Sequence, residues 1–122
     1  MNIGKPTFFI GYDSKEDIAY RVCKQSLIKN SSISINVLSL KLYELVAKKI
    51  YNRSIDPLAS TEFTYSRFLV PSIMNFKGWA VFCDCDFIFF EDVAKLFSNL
   101  SEEKAVYCVQ HDYTPSEKHK MD

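Results

Sequence analysis

Trp79-Ala80-Val81-Phe82-Cys83-Asp84-Cys85-Asp86-Phe87-Ile88-Phe89-Phe90 is the stretch on which the reading of this chain turns. Its aromatic and β-branched content is strand composition, yet two charges stand inside it. Carboxylates are rarely buried unless paired or metal-bound, because an isolated ionised one in an apolar medium costs several kcal/mol or more. Strand side chains alternate faces, so a strand through this run puts Asp84 and Asp86 on one side and Cys83 and Cys85 on the other. Two carboxylates delivered to one spot suit a hard divalent cation whose remaining ligands are phosphate oxygens.

Working outward, Lys77-Gly78 turns the chain into this run, and Glu91 to Phe97 reads as a short helix with Glu91 and Asp92 in its acidic first turn. Upstream, Thr61 to Val70 predicts a helix carrying Tyr65 and Arg67, kinked or ended near Pro71. Residues 52–60, with Pro57 as a breaker, are irregular. Thr7-Phe8-Phe9-Ile10-Gly11 predicts a first strand that runs out at Gly11-Tyr12-Asp13-Ser14. Asp13 or Ser14 then caps a helix reaching about Lys29, with Glu16 and Asp17 in its first turn. Ile18, Val22, Cys23, Leu27 and Ile28 recur along it at helical spacing. Ile33, Ile35, Val37 and Leu38 predict a second strand. Leu42, Leu45, Val46 and Ile50 predict a short amphipathic helix, and Ala105 to Val109 a last strand.

Strands alternating with helices predict an α/β domain, a mainly parallel sheet flanked by helices. Ligands of such sheets lie beyond the carboxyl ends of the strands. Asp13, Asp84, Asp86, His111 and Asp112 each end or follow an expected strand, so they are expected to gather along one edge.

A length of 122 residues predicts a single domain over residues 1–122, and 48% apolar content is enough for a core. A formal charge of zero argues against nucleic acid as the main partner. No apolar stretch reaches the roughly 18 residues of a membrane span, and the first residues lack the apolar centre of a signal peptide. A cytoplasmic protein is the expectation. Cys23, Cys83, Cys85 and Cys108 read as free thiols, since nothing points to secretion. A zinc site is disfavoured, because Cys83 and Cys85 have no second Cys or His pair at a familiar spacing. The polar tail from Thr114 adds no closing helix, which predicts that the chain is the N-terminal part of a longer protein.

The strand ending in Gly11-Tyr12-Asp13, the helix with Tyr65-Ser66-Arg67-Phe68, and Asp84-Cys85-Asp86 followed by an apolar run and Glu91-Asp92-Val93 resemble the GT-A glycosyltransferases, most of all the family 8 type. The resemblance covers nearly the whole chain, in order, and matches the Rossmann-like nucleotide-binding half of that fold without its acceptor-binding half. It implies transfer of a sugar from a nucleotide diphosphate sugar, UDP-linked by preference, to an acceptor that the sequence does not identify. It implies that Asp84 and Asp86 hold Mn2+ or Mg2+ across the donor diphosphate, with Asp84 also lining the donor site. By the same resemblance Gly11, Tyr12 and Asp13 meet the nucleoside, and Arg67 faces the diphosphate or sugar. The family's third metal ligand, a histidine near the C-terminal end of the domain, has no counterpart at His111 or His119, which lie too early.

Plainer roles stand beside these. Asp84 and Asp86 can cap a turn, Asp13 can serve only as an N-cap, and Arg67 can pair with Glu62 or Asp56 on a solvated face. Tyr65 reads as packing, Tyr12 and Trp79 as core or edge aromatics, and His111-Asp112 as plain loop. Two other functions compete. One is a non-catalytic nucleotide-sugar-binding fragment. The other is a phosphatase similar to the haloacid dehalogenases, whose Asp-X-Asp normally ends the first strand of its domain.

Overall fold

β1 (Thr7–Gly11) is buried at every position, and this strand organises the rest. The computed structural model describes residues 3–116; His119 and the end of the polar tail lie outside them. α1 (Asp17–Lys29) returns the chain to β2 (Asn36–Leu40), which pairs with β1 in parallel, Thr7 opposite Asn36 and Gly11 opposite Leu40. α2 (Leu42–Ala47) follows, then the irregular stretch and a short 3-10 turn (Ser66–Leu69) leading into α3 (Val70–Ile73). β3 (Ala80–Cys83) pairs with the other side of β1, again parallel, with Phe9 opposite Phe82. The result is a three-stranded parallel sheet in the order β2-β1-β3, flanked by helices.

Alternation along β1 divides the core into two layers. Phe8 and Ile10 pack with Cys23 and Leu27 of α1 and with Val93 and Phe97. Phe9 packs on the opposite face with Leu40, Leu42, Leu45 and Val70. A strand covered on both faces must read as an unbroken apolar run, which is why Phe8-Phe9-Ile10 shows no polar alternation. The Phe8 ring meets Phe89 and Phe97 edge-on, each with centroids 6.2 Å away.

After β3 the chain runs along α1. The Phe89 N–H donates to Ser26 Oγ (2.9 Å), and Asn30 Nδ2 donates to the Phe89 carbonyl (2.8 Å). The Asp92 carboxylate caps the following 3-10 turn (Val93–Phe97) through the Ala94 N–H and also accepts from the Ser32 N–H at 3.0 Å. Those contacts hold its carboxyl below the ordinary aspartate range, the Ser32 bonds leading.

Several expected elements differ. The helix predicted over Thr61 to Val70 is a set of turns ending in the 3-10 segment, and Pro71 lies in the first turn of α3 instead of ending a helix. A first-turn proline gives up an N–H that would be unpaired anyway. The second strand begins at Asn36, so Ile33 and Ile35 precede the ladder while still packing on the α1-side core. Ala105 to Val109 forms no strand; these residues are exposed, although the Tyr107 ring lies 6.1 Å from that of Trp79. Along α1, Cys23 and Leu27 are buried while Ile18, Val22 and Ile28 are exposed, because the sheet covers only a narrow face of the helix. No helix among the described residues is long and apolar enough to cross a membrane.

Candidate functional site

The strand order creates a crevice. β2 lies on one side of β1 and β3 on the other, so the chain reverses its winding between β1 and β3, and loops leaving the carboxyl ends there diverge. Gly11-Tyr12-Asp13 leaves β1 at this edge and Asp84 leaves β3.

The segment from Glu62 to Arg67 fills the crevice. A Cβ on Gly11 would stand 2.6–2.8 Å from ring atoms of Phe63, which is itself 2% exposed. The glycine is there to admit this ring, a structural reason distinct from contact with a nucleoside. Arg67 is held by the same ring. Its Nε donates to the Phe63 carbonyl (3.3 Å), and its guanidinium carbon lies 5.3 Å from the centroids of both Phe63 and Phe82. Its Nη1 reaches Asp84 Oδ1 at 3.6 Å. Arg67 therefore pairs with neither Glu62 nor Asp56 but with the first acid of Asp84-Cys85-Asp86.

β3 ends at Cys83, so Asp84 and Asp86 do not lie in the strand as the composition of Trp79 to Phe90 predicts; Asp84 follows it and Cys85-Asp86 forms a turn. Cys83 and Cys85 are both buried in the layer under α1. Burial of Cys83 and Cys85 leaves the intervening acids outside: Asp84 is half-buried, and Asp86 is exposed with no hydrogen bond or ion pair to another described residue. Cys23 and Cys83 sit with their sulfurs 4.0 Å apart, and this contact together with burial pushes the Cys83 thiol up; burial does the same for Cys85. All four cysteines are free thiols.

Among the described residues no group of three or more His, Cys, Asp and Glu is placed to hold a metal ion. The available donor set is two carboxylates, hard oxygens next to solvent. Such a set matches a cation of the Mg2+ or Mn2+ kind, which keeps waters and completes its shell with phosphate oxygens. It does not match a cation that needs a closed cage of protein ligands.

Asp13 behaves differently from these acids. It is 6% exposed; Oδ1 accepts from the Lys15 N–H (2.9 Å), capping the turn Ser14–Glu16, and Oδ2 accepts from the Glu62 N–H (3.2 Å). Glu62 answers by accepting from the Ser14 N–H (3.1 Å) and hydroxyl. The loop after β1 and the Glu62 segment are thus clamped reciprocally. Tyr12 is also engaged: its hydroxyl donates to Asp17 Oδ1 (2.6 Å), and its ring lies edge-on to Tyr20, with Lys41 over it. The Asp17 hydrogen bond raises the Tyr12 hydroxyl and, reciprocally, lowers the Asp17 carboxyl.

Beside the clamp, over the carboxyl ends of β1 and β2, an open cleft of about 330 Å³ is lined by Ser14, Leu42, Tyr51, Asp56, Thr61 and Tyr65 among others. The Tyr65 hydroxyl donates to Asp56 (2.9 Å) and Arg53 stacks on its ring at 3.8 Å, so Tyr65 packs as a wall of the cleft. The expected gathering of His111 and Asp112 with the other acids does not occur through a strand, because none precedes them; both are exposed in irregular chain, where His111 meets the Tyr113 ring. Sequence reasoning missed Phe63 and gave Glu62 no place in the crevice. The one signal for Phe63 is indirect: Gly11 occupies a strand end whose turn does not require a glycine.

No family model and no solved structure matches this chain. It is similar to a curated relative, "Protein CDI" of Arabidopsis thaliana, at 46% identity over 114 residues. That match covers 93% of this chain and 44% of the relative, so the chain spans less than half the relative's length.

Proposed function

We propose that this chain is the donor-binding part of a metal-dependent glycosyltransferase, holding a nucleotide diphosphate sugar along the carboxyl edge of the sheet, from the open cleft beside β1 to Asp84 at the mouth of the β1/β3 crevice. The observation that carries the reading is Arg67 poised 3.6 Å from Asp84 where the strand order reverses, with Asp86 two residues on exposed and paired with no other described residue. A guanidinium beside the Asp84 carboxylate suits a diphosphate and its cation: the planar donor fork of arginine matches phosphate oxygens, and the acid matches a divalent metal. Asp84 and Asp86 would hold Mn2+ or Mg2+, which as a Lewis acid neutralises charge growing on the departing nucleoside diphosphate. The cleft beside the clamp offers stacking walls and hydroxyls to the nucleoside. Gly11 and Asp13 shape that cleft by packing and capping, and Tyr12 buttresses α1. A GT-A-like arrangement is supported by the order β2-β1-β3 and by the place of Asp84 after the third strand. That place also weighs against the phosphatase reading, which expects the first acid after the first strand.

The test is calorimetric titration of UDP-sugars with and without Mn2+. Heat of binding is expected only with the metal, and Asp86→Asn is expected to abolish it while changing folding stability by less than about 1 kcal/mol, the usual scale for an exposed substitution. Equal heats in both arms would contradict the reading.

A further inference from the structure

We propose that Cys23 and Cys83 form a reversible oxidation site, closing under peroxide to a disulfide that staples α1 to the end of β3. The reaction needs no ligand at the sheet edge, so it holds whether or not the chain binds a nucleotide sugar.

The two sulfurs are 4.0 Å apart, already in contact within the layer under α1. Each comes from a fixed place. Cys23 and Leu27 are the buried residues of α1, so Cys23 is one of two side chains that seat this helix on the sheet. Cys83 ends β3 and stands opposite Ile10 of β1 in the parallel ladder. A disulfide needs the sulfurs to close to about 2.05 Å, an approach that rotation of the two side chains has to supply. Among the described residues no other two cysteine sulfurs are in contact, and Cys108 is exposed.

β3 is an edge strand, paired with β1 alone. Cys83, 5% exposed, therefore lies at the margin of the core, while Cys23 is fully covered. Hydrogen peroxide is close to water in size and reaches such a thiol through local opening of the edge. One sulfur takes an oxygen from peroxide, giving a sulfenic acid and one water. The other sulfur attacks it, forming the S–S bond and releasing a second water. Two thiols are oxidised and one peroxide is reduced, and the balance is complete. The surroundings favour this product: Phe8, Ile10, Leu27 and Val93 belong to the same layer, where a disulfide is neutral and a sulfinate would be an unpaired charge. Sixty positions separate the two cysteines, with β2, α2 and the stretch from Glu62 to Arg67 between them. Joining the ends confines that long stretch in the unfolded chain, which raises stability.

The experiment treats the folded whole chain with hydrogen peroxide, then unfolds it, blocks free thiols with a maleimide and maps linked peptides by mass spectrometry. A Cys23–Cys83 bridge with the loss of two hydrogens is expected, reversed by a thiol reductant. The bridged protein is expected to melt on the order of 10 °C higher than the reduced one. Cys108→Ala is expected to leave the bridge intact, and Cys83→Ala to abolish it, its own melting curve establishing that it folds. The map on the unmodified chain decides the matter even if that variant does not fold. Cys23 and Cys83 both recovered as maleimide adducts while Cys108 is oxidised would overturn the proposal, as would bridging mainly to Cys85 or Cys108. A bridge that leaves the melting temperature unchanged or lower overturns the staple.

Discussion

Asp13 and Asp84 both leave the carboxyl edge of a parallel strand, a few residues from the same glycine-and-phenylalanine contact, yet their surroundings are opposite. Asp13 is buried, and both of its oxygens accept backbone N–H groups, one from its own turn and one from Glu62. Among the described residues Asp84, half-buried, has a single ion partner, and Asp86 beyond it has none. A carboxylate whose oxygens are already taken by local donors secures the fold. One left short of partners at the mouth of a crevice has capacity for something that is not protein. The contrast separates structure from chemistry among residues that look alike in the sequence.

The strongest way to break the comparison is through the ring that both loops depend on. Phe63→Ala is expected to cost about 3–5 kcal/mol, the usual range for emptying a buried aromatic position, measured by urea unfolding. Gly11→Ala is expected to cost about 1–3 kcal/mol through overpacking, and most of that cost should vanish when Phe63 is already Ala. A Gly11→Ala penalty that is the same in both backgrounds would show that Phe63 is not the reason for the glycine.

A second, smaller effect sharpens it. Asp13→Ala leaves the Lys15 and Glu62 N–H groups without acceptors and is expected to cost about 1–3 kcal/mol. Asp84→Ala, removing a partly exposed ion pair, is expected to stay within about 0.5 kcal/mol. The reverse order of stability loss would sink the division of labour between the two acids.

The smallest effect concerns Asp92, an acid away from the edge. Its carboxyl is held below the ordinary aspartate range by the Ser32 bonds and the Ala94 N–H. Folding lowers its proton affinity, so its contribution is present above the unfolded value and is lost as pH falls through the folded one. Thermal unfolding followed between about pH 6 and about pH 2 is expected to show a shallower acid decline for Asp92→Asn than for wild type. Parallel curves for the two proteins would dismiss this contribution.

β1 was readable because a strand walled on both faces leaves a mark in its own residues, the run Phe8-Phe9-Ile10. The cap at Asp13 was equally local, although it closes the 3-10 turn Ser14–Glu16 and α1 itself starts only at Asp17, with no side-chain cap. Ala105 to Val109 has the composition of a strand, yet strand formation requires a neighbour to pair with, and composition carries no information about one. The end of β3 was hidden by Phe87 to Phe90, whose aromatic content continues the strand pattern past a turn that the buried Cys85 creates. Asp84 and Asp86 were singled out by their oddness in apolar company and Arg67 by resemblance. The pairing of Arg67 with Asp84 was not, because it depends on Phe63 and Phe82, residues far apart in the chain, meeting at one place.

The stretch from Glu62 to Arg67 supplies three things in succession: an acid that fastens the loop after β1, a ring seated against Gly11, and a guanidinium beside Asp84. These contacts are made from positions 62, 63 and 67 of one short piece of backbone. That piece works as a ruler, setting how far the cleft stands from the paired acids, so the loss or gain of one residue inside it would put all three marks out of step at once.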